Sequence, residues 1–257
     1  MLQVEDLFAG YTKLQVLSAI SIEAHPNELT VIVGPNGSGK STLLKSIAGL
    51  ATIFSGSILV EGRDTSHLHP HEIAKLGVAY LPQTENVFTR LSVRENMTLA
   101  AYTLREKESE ERCDEVLELF PQLREYLATT AINLSGGERQ MLGMAMALIR
   151  KPAIMMFDEP TANLAPKIAT QILAMISSLA HSMNVTVLVV EQNAKRALEI
   201  GDRAYLLVSG KINFEGTAKA LLEHEEIGRL YLGLKAVVSP NNLSSTKTQA
   251  GGLVEPN

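Results

Sequence analysis

Nine consecutive residues, Gly34-Pro35-Asn36-Gly37-Ser38-Gly39-Lys40-Ser41-Thr42, have the spacing of a loop that wraps phosphate groups. Its glycines let successive backbone N–H groups turn into one concavity, and a helix starting there adds about half a positive charge. In such a loop Lys40 reaches the β- and γ-phosphates and the Ser41 hydroxyl ligates Mg²⁺. The bland alternative is a glycine-rich turn ahead of an ordinary helix. Context argues against it: Leu29-Thr30-Val31-Ile32-Val33 reads as a short buried strand, and residues 42–48 read as an amphipathic helix.

Two further stretches carry chemistry. Ile154-Met155-Met156-Phe157-Asp158-Glu159 is an apolar strand ending in two acids. Alone, that pair reads as a solvated turn. Beside a phosphate loop, Asp158 is placed to hold Mg²⁺ and Glu159 to polarise a water for in-line attack on a γ-phosphate. Leu134-Ser135-Gly136-Gly137-Glu138-Arg139-Gln140 contains a capping box, Ser135 with Glu138, in which two glycines bare the first N–H groups of a helix. That makes a second anion site, or simply a capped helix.

With these motifs in this order the chain resembles the nucleotide-binding subunits of ATP-binding-cassette (ABC) transporters, whose signature is L-S-G-G-x-x-Q, over about residues 1–233. The resemblance implies ATP and Mg²⁺ as ligands. It implies two subunits paired head to tail, so that Ser135, Gly136 and Gly137 of one face the γ-phosphate held by the other. It also implies Tyr11 against adenine, Gln83 of Tyr80-Leu81-Pro82-Gln83 in contact with Mg²⁺ and water, and Ala162-Asn163-Leu164-Ala165 as a loop crossing the dimer seam.

Two positions depart from the commonest pattern of that family. The crossing loop ends in Ala165 where Asp is usual, and Gln192 stands where a His contacts the γ-phosphate. A glutamine amide donates a hydrogen bond but cannot become cationic as histidine does. The reading adopted is hydrolysis through Glu159, with Gln192 positioning and Lys40 assisting; the alternative is a slow half-site.

Glu191-Gln192-Asn193-Ala194, Asn163-Leu164-Ala165-Pro166, the segment Phe120-Pro121-Gln122-Leu123 and the ending Leu230-Tyr231-Leu232-Gly233 are similar to the LivF type, the ATPase subunits of branched-chain amino-acid importers. That branch implies import of branched-chain or other hydrophobic or neutral amino acids. Its partners are a second ATPase subunit, two membrane permeases and an extracytoplasmic solute-binding protein, with this subunit peripheral on the cytoplasmic face of the inner membrane. Importers of urea or other small solutes remain an alternative, as does a weakly hydrolytic regulatory subunit. A soluble ABC ATPase acting on nucleic acid or the ribosome fits less well with one cassette and a short insert.

The elements that must position these residues follow from periodicity. The 257 residues carry 46% hydrophobic residues, enough for a sizeable core, and a net charge of −5, which argues against a nucleic-acid footprint. No apolar run reaches the roughly 18 residues of a membrane span, and Glu5 and Asp6 break any secretory leader. Residues 2–8 and 18–24 alternate as half-buried strands, and residues 57–62 and 78–81 read as further strands. Residues 92–95 form a capping box, followed by a helical period over 108–120 and a helix over 139–149. Strand and helix then alternate: 153–157, 166–180, 185–190 and 194–200. Strands 204–208 and 211–214 close the sheet, and 221–231 reads as helical.

The fold class is therefore α/β, and the resemblance specifies a P-loop NTPase ABC cassette: a RecA-like mixed-sheet core, an antiparallel β edge subdomain and an α-helical subdomain. The expected organisation is an ATPase domain over 1–234, a helical insert over 84–150, and a disordered tail over 235–257, rich in Ser, Asn, Thr and Gly. His67, His69 and His71 read as a polar loop rather than a metal site. The lone Cys113 reads as a quiet thiol, and the methionines at 141, 144, 146, 155 and 156 as core filler.

Overall fold

Every residue of β3 (Leu29–Val33) is buried, and its Val and Ile content suits a strand covered on both faces. The computed structural model describes residues 1–224 and Ile227. The expectations for 235–257, for the ending at 230–233 and for most of the helix over 221–231 lie outside the described residues.

In chain order the strands are β1 (Leu2–Tyr11), β2 (Leu14–Ala24), β3, β4 (Thr52–Val60), β5 (Arg63–Asp64), β6 (Val78–Leu81), β7 (Ile154–Asp158), β8 (Thr186–Glu191), β9 (Arg203–Val208) and β10 (Lys211–Thr217). The helices are α1 (Lys40–Ile47), α2 (Pro70–Lys75), α3 (Val93–Ala100), α4 (Glu106–Leu119), α5 (Gly136–Leu148), α6 (Pro166–Ser182), α7 (Ala194–Ile200) and α8 (Ala218–Leu222). Short 3₁₀ turns occupy Pro121–Tyr126 and Ala131–Asn133.

Two sheets form. The larger has the order β10-β9-β3-β8-β7-β6, parallel from β9 to β6 with β10 antiparallel at one edge. The smaller, β2-β1-β4-β5, is wholly antiparallel. Helix α1 lies between them. Its Leu43, Leu44 and Ile47 are fully buried in one cluster with Leu2, Leu7, Leu17 and Ile20 of the small sheet and Ile32, Leu188 and Val190 of the large one. Each such side chain contributes about 1.5–3 kcal/mol of burial, so the loop entering α1 is fixed by both sheets at once.

The other face of the large sheet merges with helices α3, α4 and α5, which fall between β6 and β7 in the chain. Helix α3 starts at the Ser92 capping box: Ser92 N donates to Glu95 Oε2 at 2.7 Å and Glu95 N donates to Ser92 Oγ at 3.2 Å. Buried Asn96 ties the preceding loop to this helix, accepting from Phe88 N at 2.8 Å and donating to Phe88 O at 3.0 Å. Arg112, inside an otherwise acidic and solvated helix, turns inward and donates to Leu148 O and Ile149 O, where a cation suits the end of α5. Cys113 is half-buried, and burial raises its thiol pKa, as expected of an unreactive cysteine.

The main discrepancy is the histidine run. The stretch read as a polar loop contains α2, with His69 at its N-cap and His71 in its first turn. Pro70 starts this helix rather than breaking a strand, because a first-turn proline loses no needed hydrogen bond, and Glu72 accepts from His69 N at 2.9 Å. The methionines divide as well. Met144, Met155 and Met156 are fully buried, whereas Met141 and Met146 are only partly so.

Candidate active site

The phosphate-type loop leaves the C-terminal end of β3, where ligands of open parallel sheets sit. Gly39 adopts φ +105° and hands the chain to α1, which begins at Lys40, two residues earlier than its apolar period suggests. An L side chain is strained at that φ, so glycine sets the turn. No side chain caps α1 and no acid lies in its first turn, which leaves its first N–H groups facing a cavity of about 530 Å³.

That cavity collects most of the candidates. Asn36, Gly37, Gly39, Lys40, Ser41 and Thr42 line one side; Gln83, Glu159 and Gln192 line the other. Lys40 is buried and folds back, donating to Gly34 O at 2.9 Å and Pro35 O at 3.1 Å. Burial lowers its pKa, while the charges of Glu159, Asp158 and Glu191 oppose the shift. Ser38 is buried too, with a hydroxyl that has no partner among the described residues.

Asp158, at the end of β7, is the hub. Its Oδ1 accepts from Ser41 Oγ at 2.8 Å and its Oδ2 from the Tyr80 hydroxyl at 3.0 Å. Burial, then the Asp158 charge, push the Tyr80 phenol well above its ordinary pKa, so it remains a donor. Glu159 follows at φ +48°, a costly conformation for a residue with a side chain, and its N–H donates to Val190 O at 2.9 Å. Gln83 Nε2 donates to Glu159 Oε2 at 3.1 Å. Tyr11 does not line the cavity; it lies at the Thr42 end, its hydroxyl 3.5 Å from Thr42 Oγ1, with 38% of its surface exposed.

The signature residues lie elsewhere. Ser135 caps α5, accepting from Glu138 N at 3.3 Å, and the helix begins at Gly136, so both glycines fall in its first turn. Ser135 and Gly137 border a separate depression of about 550 Å³ against α6, which shares no lining residue with the phosphate-side cavity. Gly137 also serves packing. A Cβ there would stand 2.5 Å from Ile168 Cγ2.

Three features escaped sequence reasoning. Tyr80 was quoted only as a neighbour of Gln83, and its partner lies 78 residues away. Glu191 is buried and accepts from Thr161 N at 3.0 Å and Thr161 Oγ1 at 2.7 Å. Ala165 is the N-cap of α6, and no side chain satisfies that end. Only for Ala165 was a signal readable, as a missing Asp directly before Pro166.

Residues 17–162 match the family model described as ABC transporter. A probable branched-chain amino acid transport ATP-binding protein LivF from Archaeoglobus fulgidus is 52% identical over 91% of this chain and 99% of its own length. The high-affinity branched-chain amino acid transport ATP-binding protein BraG of Pseudomonas aeruginosa is 40% identical over 91% of this chain and all of its own. The chain belongs to the ABC transporter family. The cassette is thus an ATPase subunit that binds nucleotide. Its fold matches that of MJ0796, a bacterial ABC transporter cassette whose structure is dimeric, with a TM-score of 0.75 and 26% identity over 85% of this chain and 99% of that one. Among its described residues no helix is long and apolar enough to cross a membrane.

Proposed function

We propose that this cassette hydrolyses ATP to drive import of branched-chain or other hydrophobic or neutral amino acids, as one subunit of a membrane complex. The observation that carries the catalytic part is the Asp158 hub: it takes the Ser41 and Tyr80 hydroxyls, with Glu159 next in the chain and in the same cavity as Lys40. The names and near-complete coverage of the two relatives support the solute class.

Placement supports the following residue roles. The loop 34–42 wraps the triphosphate, its open N–H groups and Lys40 stabilising charge that grows in the transition state. Lys40 exchanges the Gly34 and Pro35 carbonyls for phosphate oxygens. Glu159 takes a proton from the attacking water, and Gln192 orients the water or γ-phosphate through its amide. Tyr11 rests against the base. Ser41 and Asp158 oxygens, 2.8 Å apart, with Gln83 lining the same cavity, make a hard-donor set that fits Mg²⁺. When bound, that ion neutralises phosphate charge.

The separation of the signature surface from the phosphate-side cavity supports a second ATPase subunit, whose Ser135, Gly136 and Gly137 complete each site. A groove of about 430 Å³ between β6 and helices α3 and α5 exposes Leu99 and Tyr102, the latter 74% accessible. It is proposed as the seat of a permease segment, within a domain spanning 1–234 whose insert covers 84–150. Two permeases and an extracytoplasmic binding protein complete the assembly, with this subunit peripheral on the cytoplasmic face. Gln192 and the uncapped Ala165 favour, as a second reading, a weakly hydrolytic regulatory subunit.

The test is reconstitution of the full complex in vesicles. ATP-dependent uptake of leucine, isoleucine or valine is expected, and Glu159→Gln should bind ATP but hydrolyse it at least about a hundredfold more slowly. ATPase activity that no amino acid stimulates would remove the solute assignment. Unchanged turnover of the variant would remove Glu159 from the chemistry.

A further inference from the structure

The end of β8 holds the catalytic turn by three separate contacts. Glu159 N donates to Val190 O, and Thr161 donates to Glu191 Oε1 twice, through its N–H and its hydroxyl. Glu191 is only 3% exposed and forms no ion pair among the described residues. A buried carboxylate without a contacting ion-pair partner is costly, so a position that keeps one has hydrogen bonds to satisfy.

We propose that Glu191 is a positioning residue for hydrolysis: it clamps the turn carrying Glu159 to the strand end carrying Gln192, fixing the distance between the two groups that face the γ-phosphate. The inference rests on the reading of Glu159 and Gln192 given above.

The geometry is specific. Thr161 lies two residues after Glu159, and Gln192 directly follows Glu191, so the clamp ties together the two chain segments that carry these side chains. Both line the phosphate-side cavity, and both also line a second depression of about 390 Å³ that includes Thr161, Glu191 and Arg196. Glu159 and Gln192 therefore border both spaces, and the clamp stands behind them, lining the second alone. The left-handed Glu159 backbone gives the turn a conformation it would readily relax, and the paired Thr161 bonds oppose that relaxation. Glu191 itself does not line the phosphate-side cavity, so it acts through others.

The test measures single-turnover hydrolysis and ATP affinity on the full chain purified with its complex. Glu191→Ala and Thr161→Val are each expected to slow hydrolysis about ten- to a hundredfold for the former and several-fold for the latter, as misplacing a reacting group by about an ångström does. ATP affinity should stay within about threefold, because neither side chain belongs to the phosphate loop. Combining the two should cost little more than Glu191→Ala alone. Glu191→Gln keeps an acceptor for both Thr161 donors and should recover most of the rate. Wild-type rates in Glu191→Ala, additive losses in the double variant, or an affinity loss equal to the rate loss would overturn the clamp. If Glu191→Ala does not fold, an unchanged rate in Thr161→Val does so alone. Glu159→Gln, run alongside, separates the two failures: if it remains active the underlying reading falls, and if it is inert while the clamp variants are normal only this inference falls.

Discussion

Gln83 donates its amide to the Glu159 carboxylate across 3.1 Å, joining the exit of β6 to the exit of β7 at the floor of the phosphate-side cavity. The amide is a neutral donor and brings no charge of its own. A second carboxylate there would behave differently, since two acids about 3 Å apart do not both ionise readily. Gln83→Glu should therefore shift the acid limb of the pH–rate profile of hydrolysis to higher pH, as the pair retains a proton that the base must lose. An unmoved limb would show that Glu159 does not titrate in the rate.

Tyr80 fixes one oxygen of Asp158 and leaves the other to Ser41. Groups that orient a metal-holding carboxylate usually affect affinity by about ten- to a hundredfold when removed. Tyr80→Phe is expected to raise the Mg²⁺ concentration for half-maximal ATPase activity by about tenfold, with nucleotide saturation less affected. A Mg²⁺ titration at fixed ATP reads this directly.

Ala165 occupies the N-cap of α6 in an extended conformation that suits a capping side chain, and Pro166 follows at the first helical position. Ala165→Asp should supply the missing acceptor and stabilise the fold by about 1 kcal/mol. For a domain of this size that raises the melting temperature by about 2–4 °C. Thermal unfolding of the nucleotide-free protein is the measurement, and it is independent of any function assigned to the loop.

Burial raises the pKa of Glu191 above the ordinary carboxylate value of 4.5. Between that value and the raised one the folded protein holds a proton that the unfolded chain has lost. Stability therefore falls as pH rises through this window, and the burden is fully present above it. Glu191→Gln, which cannot ionise, should melt higher than wild type at pH 8, with the gain shrinking as pH is lowered toward 4.5. A constant difference at all pH values would mean that the carboxylate is not the cause.

Much of the architecture was legible because it rests on local pattern. The β3 segment and α7 fall at the residues that apolar runs indicate, and both serine capping boxes start helices where expected. Helix α2 was missed because three alternating histidines suggested a strand-like loop, although proline followed by glutamate two residues later is a helix start. In the site, the loop 34–42, Asp158, Glu159, Gln83 and Gln192 converge on one cavity or its hub, while Tyr11 stands at its end and the signature residues stand apart. Tyr80, Asn96 and Glu191 could not be singled out. Tyr80 and Glu191 have partners 78 and 30 residues away in the chain, and Asn96 looks like any polar helix residue until its loop closes over it.

The hold of the Lys40 ammonium on two carbonyls of its own loop bears on affinity. Those bonds pin the bowl from within, so a polyanion trades one set of oxygens for another instead of folding a slack segment around itself. Little chain entropy is then left to lose on capture. Such a preformed receptor keeps more of the attraction of its N–H groups and ammonium as net affinity for a polyanion.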